Sequence, residues 1–209
     1  MKVFTAPNAP EKGTEAYDLI AKGNAVEVFL AGGITNCKNW QKAVIDELGM
    51  LDDSSYSDLI IYNPRQENFD VSNKNASYDQ IAWEYHFLNR MNLFCMCFVA
   101  SESVQPICMY ELGRYISEMQ RRFPSDWTDR IIIFVEDGYK RKLDVLVQVY
   151  FAIYGKIKPI VITDTSDVST EKQIASEICK RYRKLSIYNT FYRLKSPTEE
   201  RDYSDILGK

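Results

Sequence analysis

Five short apolar runs rich in Val, Ile and Phe punctuate the chain: VEVFLAG at 26–32, DLIIYN at 58–63, LFCMCFVA at 93–100, RIIIFVE at 130–136 and KPIVIT at 158–163. Each is continuous rather than alternating, the pattern of strands covered on both faces. After each run comes a segment of helical character: NWQKAVIDEL, SYDQIAWEYHFLNRM, ICMYELGRYISEMQRR, KLDVLVQVYFAIY and TEKQIASEICKRYRKL. Strand and helix therefore alternate five times. Parallel strands need crossovers, and right-handed crossovers cover a sheet with helices. The pattern predicts a flavodoxin-like α/β fold: a doubly wound, five-stranded parallel sheet in the order 2-1-3-4-5 with helices on both faces.

Residues 1–24 precede the first run and read as an N-terminal arm, and 25–185 as the α/β domain. The segment 186–209, SIYNTFYRLKSPTEERDYSDILGK, is aromatic and charged with a Pro break. It reads as a tail that packs on its own domain or contacts another subunit, with Tyr188, Phe191 and Tyr192 as candidate anchors.

Composition narrows the function. A chain of 209 residues with 45% hydrophobic content supports one sizeable core. A net charge of -3 without long runs of one sign argues against a nucleic-acid partner. The five cysteines form no CxxC pair and His86 is the sole histidine, so no zinc site of ordinary spacing is expected, and no other metal or cofactor is called for. Reduced thiols, no apolar leader and no membrane-length apolar segment point to a cytoplasmic protein with no membrane partner.

In a doubly wound sheet, ligands bind beyond the carboxyl ends of the strands, where the strand order reverses. That rule selects the loops AGGITN (31–36), NPRQENFD (63–70) and ASESVQP (100–106) and the helix starts that follow. Gly32 and Gly33 allow backbone to approach a ligand closely, or simply make a tight turn. Arg65 offers a forked donor set to a phosphate or carboxylate, or pairs with Glu67 or Asp70 at the surface. Glu84 reads from spacing as a solvated charge and His86 as a surface residue. Glu111 lies about a turn into the helix after the third strand. Counting by three and four groups it with Arg114, Tyr115 and Glu118 on a polar stripe, opposite Met109, Leu112, Ile116 and Met119. Periodicity reads it as solvated; its position beside the crevice reads it as functional.

The motifs VFLAGGI, IYNPRQ, QIAWEYHFL, PICMYELGRY and DGYKRKLDVLVQV, in this order over residues 26–162, together resemble the nucleoside 2-deoxyribosyltransferase-like family. The resemblance implies cleavage or exchange at the N-glycosidic bond of a 2'-deoxynucleoside or its 5'-monophosphate. It makes Glu111 the nucleophile that forms a covalent glycosyl intermediate. Glu84 becomes the acid for the leaving base, with Asp79 second, and Gly32 and Gly33 line the sugar. Trp40, Asn63 and Arg65 shape the base or phosphate side, and Tyr110 faces away into packing. Asn92 stands where many members carry an Asp before the third strand, and is a further substrate-binding candidate. The loop SESVQPICMY also departs from the Asp- and Gly-containing loop of classical transferases, with Glu102 the candidate replacement. These departures leave open hydrolysis, a non-catalytic nucleotide sensor, or a flavodoxin-like interaction module. The implied partner is a small nucleoside or nucleotide. Because active sites in the family are often completed by a neighbouring subunit, a homo-oligomer is expected.

Overall fold

The computed structural model describes residues 1–51, 56–69, 72, 74–101, 103–163 and 169–193, with the side chains of 74 and 188–193 excepted. Glu102, the side chains of Tyr188, Phe191 and Tyr192, and everything after 193 lie outside the described residues. The elements are β1 (Lys2–Thr5), α1 (Glu15–Ala21), β2 (Val26–Gly32), α2 (Trp40–Gly49), β3 (Leu59–Asn63), α3 (Lys74–Leu88), β4 (Leu93–Phe98), α4 (Pro106–Arg122), β5 (Ile131–Glu136), α5 (Lys142–Ala152), β6 (Ile160–Ile162) and α6 (Thr170–Arg193). A 3-10 turn, Trp127–Asp129, leads into β5.

The strands form one six-stranded sheet in the order β1-β3-β2-β4-β5-β6, every pairing parallel. The expected count of five is thus corrected to six. The five strands read from sequence keep their relative order, and the addition, KVFT, lies inside the segment taken for an arm. It pairs with β3 alone, from Lys2 opposite Ile60 to Thr5 opposite Asn63. An edge strand with one neighbour need not be apolar throughout, and Val3 is 37% exposed. That is why the search for continuous apolar runs passed over it.

Alternation along each strand divides the core. Phe29, Ala31, Ile60, Tyr62, Phe94, Met96, Phe98, Ile131 and Ile133 pack beneath α1, α3, α4 and α5. Val28, Leu30, Ile61, Leu93, Cys95, Cys97, Ile132 and Phe134 pack against α2 and α6 on the other face. The connection from β2 to β3 is the one step that runs against the others across the sheet. A right-handed crossover then sends α2 to the face opposite α1, α3, α4 and α5. The order reverses between β2 and β4, and the crevice opens at their carboxyl ends.

At the opposite, amino end of the sheet the polar groups are structural. Asn92 precedes β4; its Oδ1 accepts the Glu27 N–H at 2.8 Å and its Nδ2 donates to the Ala25 carbonyl at 2.9 Å. The Arg130 guanidinium pairs with Asp126 at 2.7 Å, donates to the Asn92 carbonyl at 3.2 Å and lies 3.9 Å from the Phe123 ring centroid. Asn92 is therefore a clamp between strand starts and is not brought to the crevice. All five cysteines are free and buried. Among the described residues no helix is long and apolar enough to cross a membrane, and no group of three metal-ligating side chains occurs.

Candidate active site

The site starts where β2 ends. Gly32 has φ +148°, and a Cβ there would lie 2.2 Å from the Cys97 carbonyl oxygen and 2.9 Å from the Trp40 ring. Only glycine fits this close approach. At Gly33 a Cβ would meet the Gln105 Oε1 at 2.6 Å and the Cys37 Sγ at 2.7 Å. Trp40 begins α2, is buried, and donates its indole N–H to the Gly33 carbonyl at 3.1 Å. It supports the glycine turn and is not among the residues that line the cavity.

Arg65 acts on the same loop. Its Nη1 donates to the Lys38 carbonyl at 2.7 Å and its Nη2 to the Cys37 carbonyl at 2.9 Å. The Lys38 ammonium in turn pairs with Glu136 at 2.6 Å and Glu171 at 3.0 Å. The fork that sequence offered to a phosphate thus ties the loop after β3 to the loop after β2. Asn63 holds the base of that loop: its Oδ1 accepts the Arg65 N–H at 3.0 Å and its Nδ2 donates to the Thr5 hydroxyl at 3.3 Å.

α4 begins with Pro106, whose missing N–H costs nothing at the first helical position. The helix buries Cys108, Leu112, Tyr115, Ile116 and Met119. Tyr115 therefore belongs to the packed face and not to the polar stripe. Tyr110 is 65% exposed and faces solvent, contrary to the expectation that it packs. This seating turns Glu111 sideways, toward α3, where Glu84 lies beside the buried Trp83, Phe87 and Leu88.

Glu84 and Glu111 both line a cavity of about 220 Å³. Gly32 and Gly33 form part of its wall, with Phe29 and Ala31 as apolar surface and Gln105 and Cys108 from the start of α4. The Gln80 amide donates to Glu84 Oε1 at 2.6 Å and to the Pro64 carbonyl at 2.7 Å. Glu111 has no hydrogen-bond partner among the described residues. Burial raises its carboxyl, and the negative charge of Glu84 raises it further, to about 8. Burial also raises Glu84, with the Gln80 hydrogen bond opposing. At neutral pH the pair therefore holds a proton that two solvated carboxylates would have lost. Burial and then Glu111 push the Cys108 thiol up to about 12, which keeps it neutral.

Of the residues singled out in sequence, the fold brings Glu111, Glu84, Gly32 and Gly33 together. Trp40, Asn63 and Arg65 stand behind them, tied to the loops. Asp79 is exposed and does not line the cavity, and Asn92 is at the other end of the sheet. Sequence reasoning missed Gln80 and Gln105. The first was visible as the residue one turn before Glu84, the second as the residue directly before Pro106 in a loop already selected.

A search of curated proteins finds no match to this chain. Residues 25–123, which run from β2 through α4 and carry the glycine pair and both carboxyls, match the model of the family described as Nucleoside 2-deoxyribosyltransferase like, and over this stretch the chain is similar to that family.

Proposed function

We propose that this protein breaks the N-glycosidic bond of a 2'-deoxynucleoside or its 5'-monophosphate and passes the sugar to a second base or to water. The family match supports a related glycosyl-transfer function. The observation that carries the reading is the pair of carboxyls from two helices, Glu84 and Glu111, on one glycine-walled cavity.

Glycosidic chemistry needs one carboxylate to meet the anomeric carbon and one carboxylic acid to protonate the leaving group. Glu111 attacks C1' as the C1'–N bond breaks, and the bonding electron pair goes to the base nitrogen. Glu84 delivers its proton to the base. The resulting ester between Glu111 and the sugar is then opened by a second base or by water, whose proton returns to Glu84. The reactive state holds one proton on Glu84 and a charge on Glu111. Burial and Glu84 keep the proton on Glu111 up to about pH 8; positive charge developing on the sugar draws the negative charge onto it. The scheme uses no metal or organic cofactor. Asp79, exposed on α3, is left out of it. By the same family resemblance we propose a homo-oligomer, which sedimentation at micromolar concentration tests.

The test is incubation with the four deoxynucleosides and their monophosphates, with and without free base, followed by chromatography. Base release that vanishes in Glu111→Gln, with a sugar adduct on Glu111 in the wild type by mass spectrometry, is the expected result. Thermal stabilisation by one compound with no turnover of any would replace the enzyme with a nucleotide sensor.

A further inference from the structure

Gln105 occupies a position that its residue type does not favour. Its backbone sits in the left-handed region at φ 48°, ψ 56°, directly before Pro106. Glycine or asparagine adopts that conformation at less cost, and a following proline pushes its predecessor toward extended backbone. A strained residue persists where the surrounding structure requires its side chain, and such residues gather at functional sites.

The side chain is 4% exposed and fully engaged. Its Nε2 donates to the Val99 carbonyl at 2.6 Å and to the Ser101 hydroxyl at 3.4 Å, while its Oε1 accepts the Val99 N–H at 3.3 Å. Both backbone groups of Val99, where β4 ends, are thus held by one amide. The same Oε1 occupies the space that a Cβ on Gly33 would need. The loop is braced from β5 as well: Tyr139 donates to the Val104 carbonyl at 2.8 Å, and Glu136 accepts the Ala100 N–H at 2.5 Å. Gln105 therefore touches three things whose spacing sets the cavity: the end of β4, the glycine turn after β2, and the first turn of α4, which carries Glu111.

We infer that Gln105 is a positioning residue: its amide fixes the start of α4 against the glycine turn and so sets where Glu111 stands relative to a bound sugar. The inference rests on the glycosidic reading of the cavity. Its donors are spent on Val99 and Ser101, so it holds the geometry and does not bind substrate through them. Misplacement of a reacting group by about 1 Å costs on the order of 100-fold in rate, and this loss falls on kcat.

Gln105→Asn and Gln105→Gly separate the backbone from the amide. Both suit a positive φ, yet neither places an amide on Val99, so rates are compared per folded molecule at a temperature where wild type and both variants are fully folded by circular dichroism. The expected result is a kcat lowered roughly 30- to 100-fold with KM within about threefold. A kcat within about threefold of wild type, or a loss carried entirely by KM, overturns the inference. A readout that needs no turnover runs beside it, the carboxyl titration of Glu111 by ¹³C NMR in wild type and Gln105→Asn. A midpoint that falls toward the ordinary carboxyl range supports the positioning role, and an unmoved one overturns it. If the wild type releases no base from any compound, the proposed function fails and this titration still decides the role of Gln105.

Discussion

The two ends of the sheet handle buried polar groups in opposite ways. At the amino end, Asn92 spends both ends of its amide on backbone, and Arg130, 4% exposed at its side chain, meets Asp126, the Asn92 carbonyl and the Phe123 ring. At the carboxyl end, Glu84 has one amide partner and Glu111 no hydrogen bond among the described residues, and both titrate high. A polar group whose partners are all supplied by the chain stabilises the fold. One left short of partners in a cavity stores an interaction for whatever enters. The same sheet carries both because the crevice opens only at the strand ends, where α2 after β2 and α4 after β4 leave to opposite faces.

The contrast is broken most severely at the open end. Glu111→Ala is expected to lower base release at least about 10³-fold, since the proposed scheme loses its nucleophile, with chromatographic rates as the measure. Its melting temperature should fall little, because no partner is orphaned. At the closed end the expectation is reversed. Arg130→Met leaves Asp126, 11% exposed at its side chain, without its cation and should cost about 3 kcal/mol by chemical denaturation. Activity per folded molecule should be retained.

Smaller effects sharpen the comparison. Gly33→Ala pushes a methyl group into Gln105 and Cys37, and overpacking of this kind costs about 1–3 kcal/mol. Denaturant midpoints read that loss, and kcat should fall with it. The last test is a pH dependence. Glu111 has a folded-state value near 8, above its ordinary 4.5. The folded state therefore holds a proton that the unfolded chain has released between these values. Stability is favoured below pH 4.5 and lost as pH rises through 8. Glu111→Gln removes this dependence, so its melting temperature should rise above wild type progressively from pH 5 to 8 and then level off. A difference that stays flat over that range would place Glu111 in water.

Much of the fold was legible because burial on two faces leaves continuous apolar runs. β2 through β6 were read in place from that signal, and the flavodoxin-like expectation supplied their relative order. β1 was not, since an edge strand half in water carries no such run. The candidate site was legible in part. The reversal rule chose loops that line the candidate cavity, and the family motifs pointed to Glu111 and Glu84, which share it. Periodicity misled at α4, where it set Tyr115 on the polar stripe beside Glu111. Helical spacing reports the angle between two side chains but not which neighbouring helix each will meet.

By itself, the sequence determined the alternation of strand and helix, the two glycines that a close turn demands, and the residue types able to do glycosidic chemistry. Tertiary structure alone decided which of those residues share a cavity. It turned Arg65 onto the carbonyls of Cys37 and Lys38, sent Asn92 to the far end of the sheet, and set Gln105 between Gly33 and α4. The reason is physical: chain-local preferences act over a few residues through backbone sterics and hydrogen bonds. The carboxyl pair, by contrast, depends on α3 and α4 packing on the same face of one sheet, which brings residues 27 positions apart to one cavity.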